Sequence, residues 1–242
     1  MKAVVLAAGR GIRFRPVTDT IPKVMIKVGG KPMVERGLEN LVAAGITEII
    51  LVIGYKGEII RAYFKNSFKG INITYIEQEK QLGSADAIGK TKNVVKNEDF
   101  IVLNGDVIVE TFFLKKLIKF SGFSVVVAAR ESDEPWRYGC LLLDKRLVKD
   151  IIEKPTKGTE PSNLVNVGLY KFSRKIFDAI EKISPSQRGE YEIVDAIKLL
   201  ILNKEVSYLE YSGLCLDIGN QEDLKKAELE LIGKNKIHDK IK

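Results

Sequence analysis

The sequence predicts an α/β fold built on a doubly wound, mostly parallel mixed sheet. Three observations lead there. Short apolar runs recur at residues 3–7, 48–53 and 100–103, each the length of a strand covered on both faces, and residues 71–76 look like a further strand. Stretches with helical apolar spacing separate them, as in Val34, Leu38, Leu41 and Val42. Glycine-bearing or polar segments follow the runs directly, at the carboxyl ends of strands, where such sheets bind ligands. Alternating strands and helices argue for parallel pairing, and the arrangement is Rossmann-like.

Taken in order, residues 3–7 form the first strand and a loop with Gly9 and Gly11 follows. Residues 23–28 read as a short strand closed by Gly29-Gly30. Pro32 opens a helix, and Gly45 caps it. Strand 48–53, helix 56–65 and strand 71–76 come next. A polar loop from Glu77 to Gly83 leads into a helix at 84–92, and strand 100–103 runs into Asn104-Gly105-Asp106. The second half is less regular. It reads as helix 112–120, strands 124–129, 140–143, 147–152 and 165–172, helices 175–183 and 190–202, strands 206–211 and 214–218, and helix 222–232. No repeat or linker divides the chain. One domain is expected over 1–232, in two halves at about 1–110 and 111–220, with a basic tail at 233–242 holding Lys234, Lys236, Lys240 and Lys242.

Composition narrows the partners. The 242 residues carry 39 Lys and Arg against 32 Asp and Glu, a formal +7. These charges are spread along the chain, so no nucleic-acid partner is expected; a local excess suits a small polyphosphate. Cys140 and Cys215 make no disulfide framework and read as free thiols in a reducing cytoplasm. The start lacks signal-peptide character, and no apolar stretch reaches membrane-spanning length, so no membrane partner is expected.

The loop from Leu6 to Lys23 carries the chemistry. Glycines let backbone N–H groups approach an anion, and arginine and lysine add charge-assisted bonds to phosphate. A dinucleotide fingerprint would need glycine where Phe14 stands, and a P-loop would need it where Met25 stands. A triphosphate loop using Arg13 and Lys23 and a plain surface turn both remain open. Asp106 and Asp217 stand in apolar surroundings, where a carboxylate is costly unless it binds something. Two such groups fit Mg²⁺, with phosphate and water completing its shell; each could equally cap a helix. The one histidine, His238, lies in the tail, so no general base is evident. Nucleotidyl transfer to a phosphate monoester needs none, because that nucleophile is already ionised near neutral pH.

An ordered set of motifs then resembles the sugar-1-phosphate nucleotidylyltransferases. It runs Leu6-Ala-Ala-Gly-x-Gly-x-Arg13, Pro16-x-Thr18-x-x-x-Pro22-Lys23, Gln78 with Leu82-Gly83-Ser84-Ala85, and Asn104-Gly105-Asp106. It continues through Tyr138-Gly139, Glu153-Lys154-Pro155, Asn166-x-Gly168, Arg188-Gly189-Glu190-x-Glu192 and Asp217-x-Gly219. The resemblance implies a nucleotide-diphospho-sugar transferase fold and a Mg²⁺-dependent enzyme of nucleotide-sugar biosynthesis. Its partners would be a nucleoside triphosphate and a sugar 1-phosphate, and it is expected to be a homo-oligomer. By the same resemblance, Leu6, Ala8, Gly9 and Gly11 hold the nucleotide through their backbone, and Arg13 grips pyrophosphate. Lys23 bridges the reacting phosphates. Gln78 and Gly83, next to Ser84, read the base; Asp106 and Asp217 hold Mg²⁺. Gly139, Glu153 and Asn166 bind sugar hydroxyls, and Lys154 binds the sugar phosphate. The Gln78 and Gly83-Ser84 pattern looks like the uridylyl and thymidylyl branches, which implies UTP or dTTP with glucose 1-phosphate. A mannose-1-phosphate guanylyltransferase and a catalytically silent regulatory homologue are the alternatives. Ile12, Phe14, Ser84, Cys215 and Asn220 depart from the commoner residues at their places.

Overall fold

The computed structural model describes residues 1–238, with side chains through Leu231. The chain runs β1 (Lys2–Ala7), β2 (Lys27–Val28), β3 (Lys31–Pro32), α1 (Met33–Ala43), β4 (Glu48–Ile53), α2 (Gly57–Phe64), β5 (Ser67–Phe68), β6 (Ile71–Glu77), α3 (Ser84–Gly89), α4 (Lys92–Val95) and β7 (Phe100–Asn104). It continues with β8 (Val107–Val109), α5 (Thr111–Lys119), β9 (Val125–Glu131), β10 (Gly139–Asp144), β11 (Leu147–Glu153), β12 (Leu164–Phe172), α6 (Lys175–Ile180), α7 (Ile193–Ile201), β13 (Val206–Glu210), β14 (Cys215–Asp217) and α8 (Gln221–His238).

One ten-stranded mixed sheet carries the fold, in the order β10-β11-β13-β9-β12-β7-β1-β4-β6-β5. β7, β1, β4 and β6 are mutually parallel and form its core. β12 joins antiparallel to both β7 and β9, and β13 runs parallel to β9. The unbroken apolar runs follow from burial on both faces. In β1, Ala3, Val5 and Ala7 enter one core cluster while Val4 enters the other.

A third cluster joins distant segments beneath the glycine loop. Phe14, Ile26, Val28 and Met33 pack there with Ile108, Leu216, Ile218 and Ala227. Burying such side chains stabilises by about 1.5–3 kcal/mol each, which ties the loop to the later carboxylate-bearing segment. That segment is a separate ribbon of β8 and β14, paired Val107 to Asp217.

The structure departs from several sequence expectations. Residues 23–25 form a 3₁₀ turn after Pro22, so only Lys27–Val28 of the expected strand pairs, across the Gly29-Gly30 turn. The helix expected over 84–92 breaks into α3 and α4, and that over 175–183 ends at Ile180. The helix expected from Glu190 begins at Ile193, because Tyr191 pairs its backbone with Leu82 and Ala85 instead. The last helix runs on to His238, six residues past its expected end at Ile232. The tail's side chains and residues 239–242 lie outside the described residues.

Candidate active site

The loop after β1 folds over Lys23. Gly11 has φ +62°, and a Cβ there would lie 2.6 Å from the Lys23 Cβ. The Thr18 hydroxyl donates to the Gly11 carbonyl at 3.0 Å. Phe14 is buried below, its ring centroid 5.5 Å from the Lys23 ammonium. The Lys23 ammonium donates to the Asp106 carboxylate. This holds a lysine, with its side chain 13% exposed, at the mouth of the parallel core.

Asp106 occupies the turn between β7 and β8. The preceding Gly105 N–H donates to the Leu6 carbonyl at 2.9 Å, and Ile218 N–H donates to the Asp106 carbonyl at 3.2 Å. Through the β8–β14 ribbon, Asp217 stands beside this turn. Burial first, and the Asp106 carboxylate second, push the Asp217 carboxyl up to about 6, while Lys23 opposes the shift. Two carboxylates that repel across a confined space form a donor set that suits a hard divalent cation. Among the described residues no group of three or more His, Cys, Asp or Glu is placed to hold a metal. A Mg²⁺ here would take its other ligands from phosphate and water, as that ion usually does.

Two clefts meet at this point. One, of about 290 Å³, is lined by Leu6, Ala8, Gly9, Lys23, Gln78 and Gly83 among others. The second, of about 430 Å³, is lined by Arg13, Gly139, Glu153, Lys154, Asn166 and Asp217 among others. Ser84, Asn104 and Asp106 line both. The residues expected to bind nucleotide and those expected to bind sugar phosphate therefore fall into adjoining spaces. Two of them sit apart from their group. Gly11 lines a neighbouring recess with Gly9 and Leu82. Arg13 is exposed and faces the second cleft near Gly219.

The loop from Gln78 to Gly83 is rigidly braced. Gln78 is 3% exposed. Its backbone N–H donates to the Ile53 carbonyl at 2.8 Å. Its side-chain amide donates to the Gly83 carbonyl at 2.9 Å and to Asp86 Oδ2 at 2.8 Å. Tyr191 N–H donates to the Leu82 carbonyl at 2.7 Å, and Ala85 N–H to the Tyr191 carbonyl at 2.9 Å. The Ser84 hydroxyl accepts from Ile193 N–H at 3.0 Å. The motif from Arg188 to Glu192 thus buttresses this loop. Arg10 reaches it too, donating to the Gln81 side chain, which in turn donates to the Gln78 carbonyl, each at 3.3 Å. The Arg15 side chain makes an exposed pair with Asp19.

The second cleft is built from β10, β11 and β12. Gly139 pairs with Glu153 across β10 and β11. A Cβ on Gly139 would sit 2.8 Å from Glu153 Oε2 and 3.7 Å from the Asn166 Cβ, so these three residues converge. Asn166 donates to the Tyr170 hydroxyl at 2.7 Å and accepts from Gly168 N–H at 3.0 Å. Lys154 adopts φ +45°, an uncommon region for a non-glycine residue. Its backbone N–H donates to the Tyr138 carbonyl at 2.9 Å. Its side chain is exposed, with the ammonium 3.9 Å from Glu153.

With this geometry in place, comparison with known proteins decides the family. The nucleotidyl transferase family model matches residues 2–233. The chain belongs to this family. Among curated relatives of this nucleotidyl transferase, the UTP–glucose-1-phosphate uridylyltransferase AglF of Haloferax volcanii is 39% identical, with 96% of each chain covered. The bifunctional protein GlmU of Methanococcus maripaludis strain C7 is 39% identical over all of this chain; the chain spans 56% of that relative's length. Among solved structures, a UDP-glucose pyrophosphorylase complexed with UDP-glucose matches with TM-score 0.85 and 26% identity, covering 96% of this chain and 98% of that one. The fold is that of the nucleotide-diphospho-sugar transferases, as the resemblance implied. Among the described residues no helix is long and apolar enough to cross a membrane.

The nucleotidyl transferase site also contains residues that sequence reasoning gave no role. Asn104 lines both clefts. Arg137 donates to Glu134 at 2.8 Å and to Asp223 at 3.0 Å, and Asp223 accepts from Gly219 N–H at 3.0 Å. Asn104 and Tyr138 were present in the motifs, and that was their signal. Asp223 reaches the cleft only because α8 folds back on the third cluster, which no local pattern encodes.

Proposed function

We propose that this nucleotidyl transferase joins UTP or dTTP to a hexose 1-phosphate, glucose 1-phosphate first, and releases pyrophosphate. The observation that carries the reading is the meeting of two clefts at Ser84, Asn104 and Asp106. A sugar-phosphate oxygen would attack the α-phosphorus, forming one P–O bond as the α–β bridge breaks. That oxygen is already ionised near neutral pH, so positioning and charge neutralisation are the main requirements.

In this reading Leu6, Ala8, Gly9 and Gly11 hold the nucleotide through their backbone. Gln78 and Gly83 meet the base edge. Lys23 neutralises charge on the reacting phosphates, and Arg13 receives the departing pyrophosphate. Asp106 and Asp217 would hold Mg²⁺, which when bound supplies further positive charge to phosphate oxygens. Gly139, Glu153 and Asn166 orient the sugar, and Lys154 pairs with its phosphate. The choice of UTP and glucose 1-phosphate draws on the activity named for the AglF relative.

The test is pyrophosphate release over a grid of UTP, dTTP, CTP and GTP against glucose, mannose and other sugar 1-phosphates. Release with UTP or dTTP and glucose 1-phosphate is expected. Silence with every pair would overturn the enzyme reading, and a preference for GTP with mannose 1-phosphate would overturn the substrate choice.

A further inference from the structure

We propose that Asp86 is a positioning residue. It fixes the Gln78 amide so that the cleft accepts bases carrying an N–H beside a carbonyl, the imide edge of uracil or thymine. The inference rests on the reading that Gln78 faces the base.

A primary amide has two donor hydrogens at one end and an acceptor oxygen at the other. Both donors of Gln78 are used internally, one by the Gly83 carbonyl at 2.9 Å and one by Asp86 Oδ2 at 2.8 Å. Neither partner can donate. Turning the amide over would set its oxygen against two acceptors, and burial of Gln78 keeps water from relieving the clash. The Gln78 oxygen accepts no bond among the described residues, and Gln78 lines the nucleotide cleft. Gln78 therefore offers a base one acceptor and no donor. Gly83 lines the same cleft, and its N–H makes no bond among the described residues, so it adds a donor. This pair matches the N3–H and adjacent carbonyl of uracil or thymine. Cytosine would bring its N3 lone pair against the Gln78 oxygen.

Asp86 is suited to hold this orientation. It is half-buried in the first turn of α3, whose start is pinned through Ala85 and Ser84 to the 191–193 segment. It pairs with no cation among the described residues, and its recorded side-chain bond is the one to Gln78. An asparagine of the same shape could donate instead of accept, and only the Gly83 carbonyl would then oppose turning the amide over.

The test is titration calorimetry of UTP and CTP with Mg²⁺, without sugar phosphate, on wild type, Asp86→Asn, Asp86→Ala and Gln78→Ala. The wild type should prefer UTP. Both Asp86 variants should lower the UTP-over-CTP ratio of dissociation constants about tenfold, the scale of one hydrogen bond's net contribution. The alanine variant decides the matter if the asparagine variant is unstable. An unchanged ratio in a folded Asp86 variant, alongside a lowered ratio in Gln78→Ala, would overturn the role of Asp86 and leave the base reading standing. An unchanged ratio in all variants, or a wild type that prefers CTP, would overturn the base reading and this proposal with it.

Discussion

The two clefts differ in how they are held. The first, the proposed nucleotide side, is made of loops that follow strands of the parallel core, and its key side chains are buried. Gln78 is 3% exposed and Lys23 carries a side chain only 13% exposed. The sugar side is made of strand edges and an exposed turn. There the Lys154 and Glu153 side chains are 54% and 42% exposed and stand 3.9 Å apart. Preorganised, desolvated groups act strongly because no reorganisation is needed when charge develops; exposed charges are screened and act weakly. Damage on the nucleotide side should therefore reach the chemical step, and damage on the sugar side should reach mainly the binding of the sugar phosphate.

The largest effect is expected at Lys23. Lys23→Ala removes a cation fixed on Asp106 at the junction of the clefts and leaves that carboxylate facing Asp217 without it. Turnover should fall by at least about 10²-fold, the usual scale for one preorganised electrostatic contact. Near-normal kcat in pyrophosphate release would remove Lys23 from the mechanism and would erase the contrast between the two sides.

Gly139→Ala comes next. The added methyl would lie 2.8 Å from Glu153 Oε2, so the carboxylate must move. The KM for sugar phosphate should rise about tenfold, equivalent to about 1.4 kcal/mol, while the KM for nucleotide stays within about twofold. A shift in the nucleotide KM of the same size would show that the clefts are not energetically separate.

The same contrast explains what the sequence made readable. The nucleotide side is assembled from local patterns. Burial on both faces makes β1 and β4 continuous apolar runs, and the glycines around Arg10 mark the loop between strand and 3₁₀ turn. The sugar side depends on register between strands far apart in sequence, such as Gly139 against Glu153 and Cys140 against Val165. Its residues could be named only through the family resemblance. Tyr191 shows the limit from another direction. The helix expected from Glu190 would include it, but its backbone pairs with Leu82 and Ala85 instead of entering α7. Asp217 was expected in a strand, yet its place beside Asp106 depends on the ribbon of β8 and β14, whose apolar residues are split between two clusters. Arg10, unassigned from sequence, acquires its contact with Gln81 only in three dimensions.

The smallest and most discriminating effect is expected at Lys154. Its ammonium is exposed, so its attraction to a sugar phosphate is worth about 1 kcal/mol or less, or about fivefold in KM. Its backbone is in the left-handed region, φ +45°, where glycine is at ease and alanine is not. Lys154→Ala removes the charge and keeps the strain, whereas Lys154→Gly removes both. If charge is what the turn contributes, the two variants should raise the KM for sugar phosphate equally, about fivefold, and leave kcat within about twofold. The wild-type KM should also rise with added salt, as expected for a screened contact, and both variants should lose that salt dependence. If only the glycine variant is impaired, the turn acts through its backbone shape. The sugar side would then be as preorganised as the nucleotide side, whatever its exposure suggests.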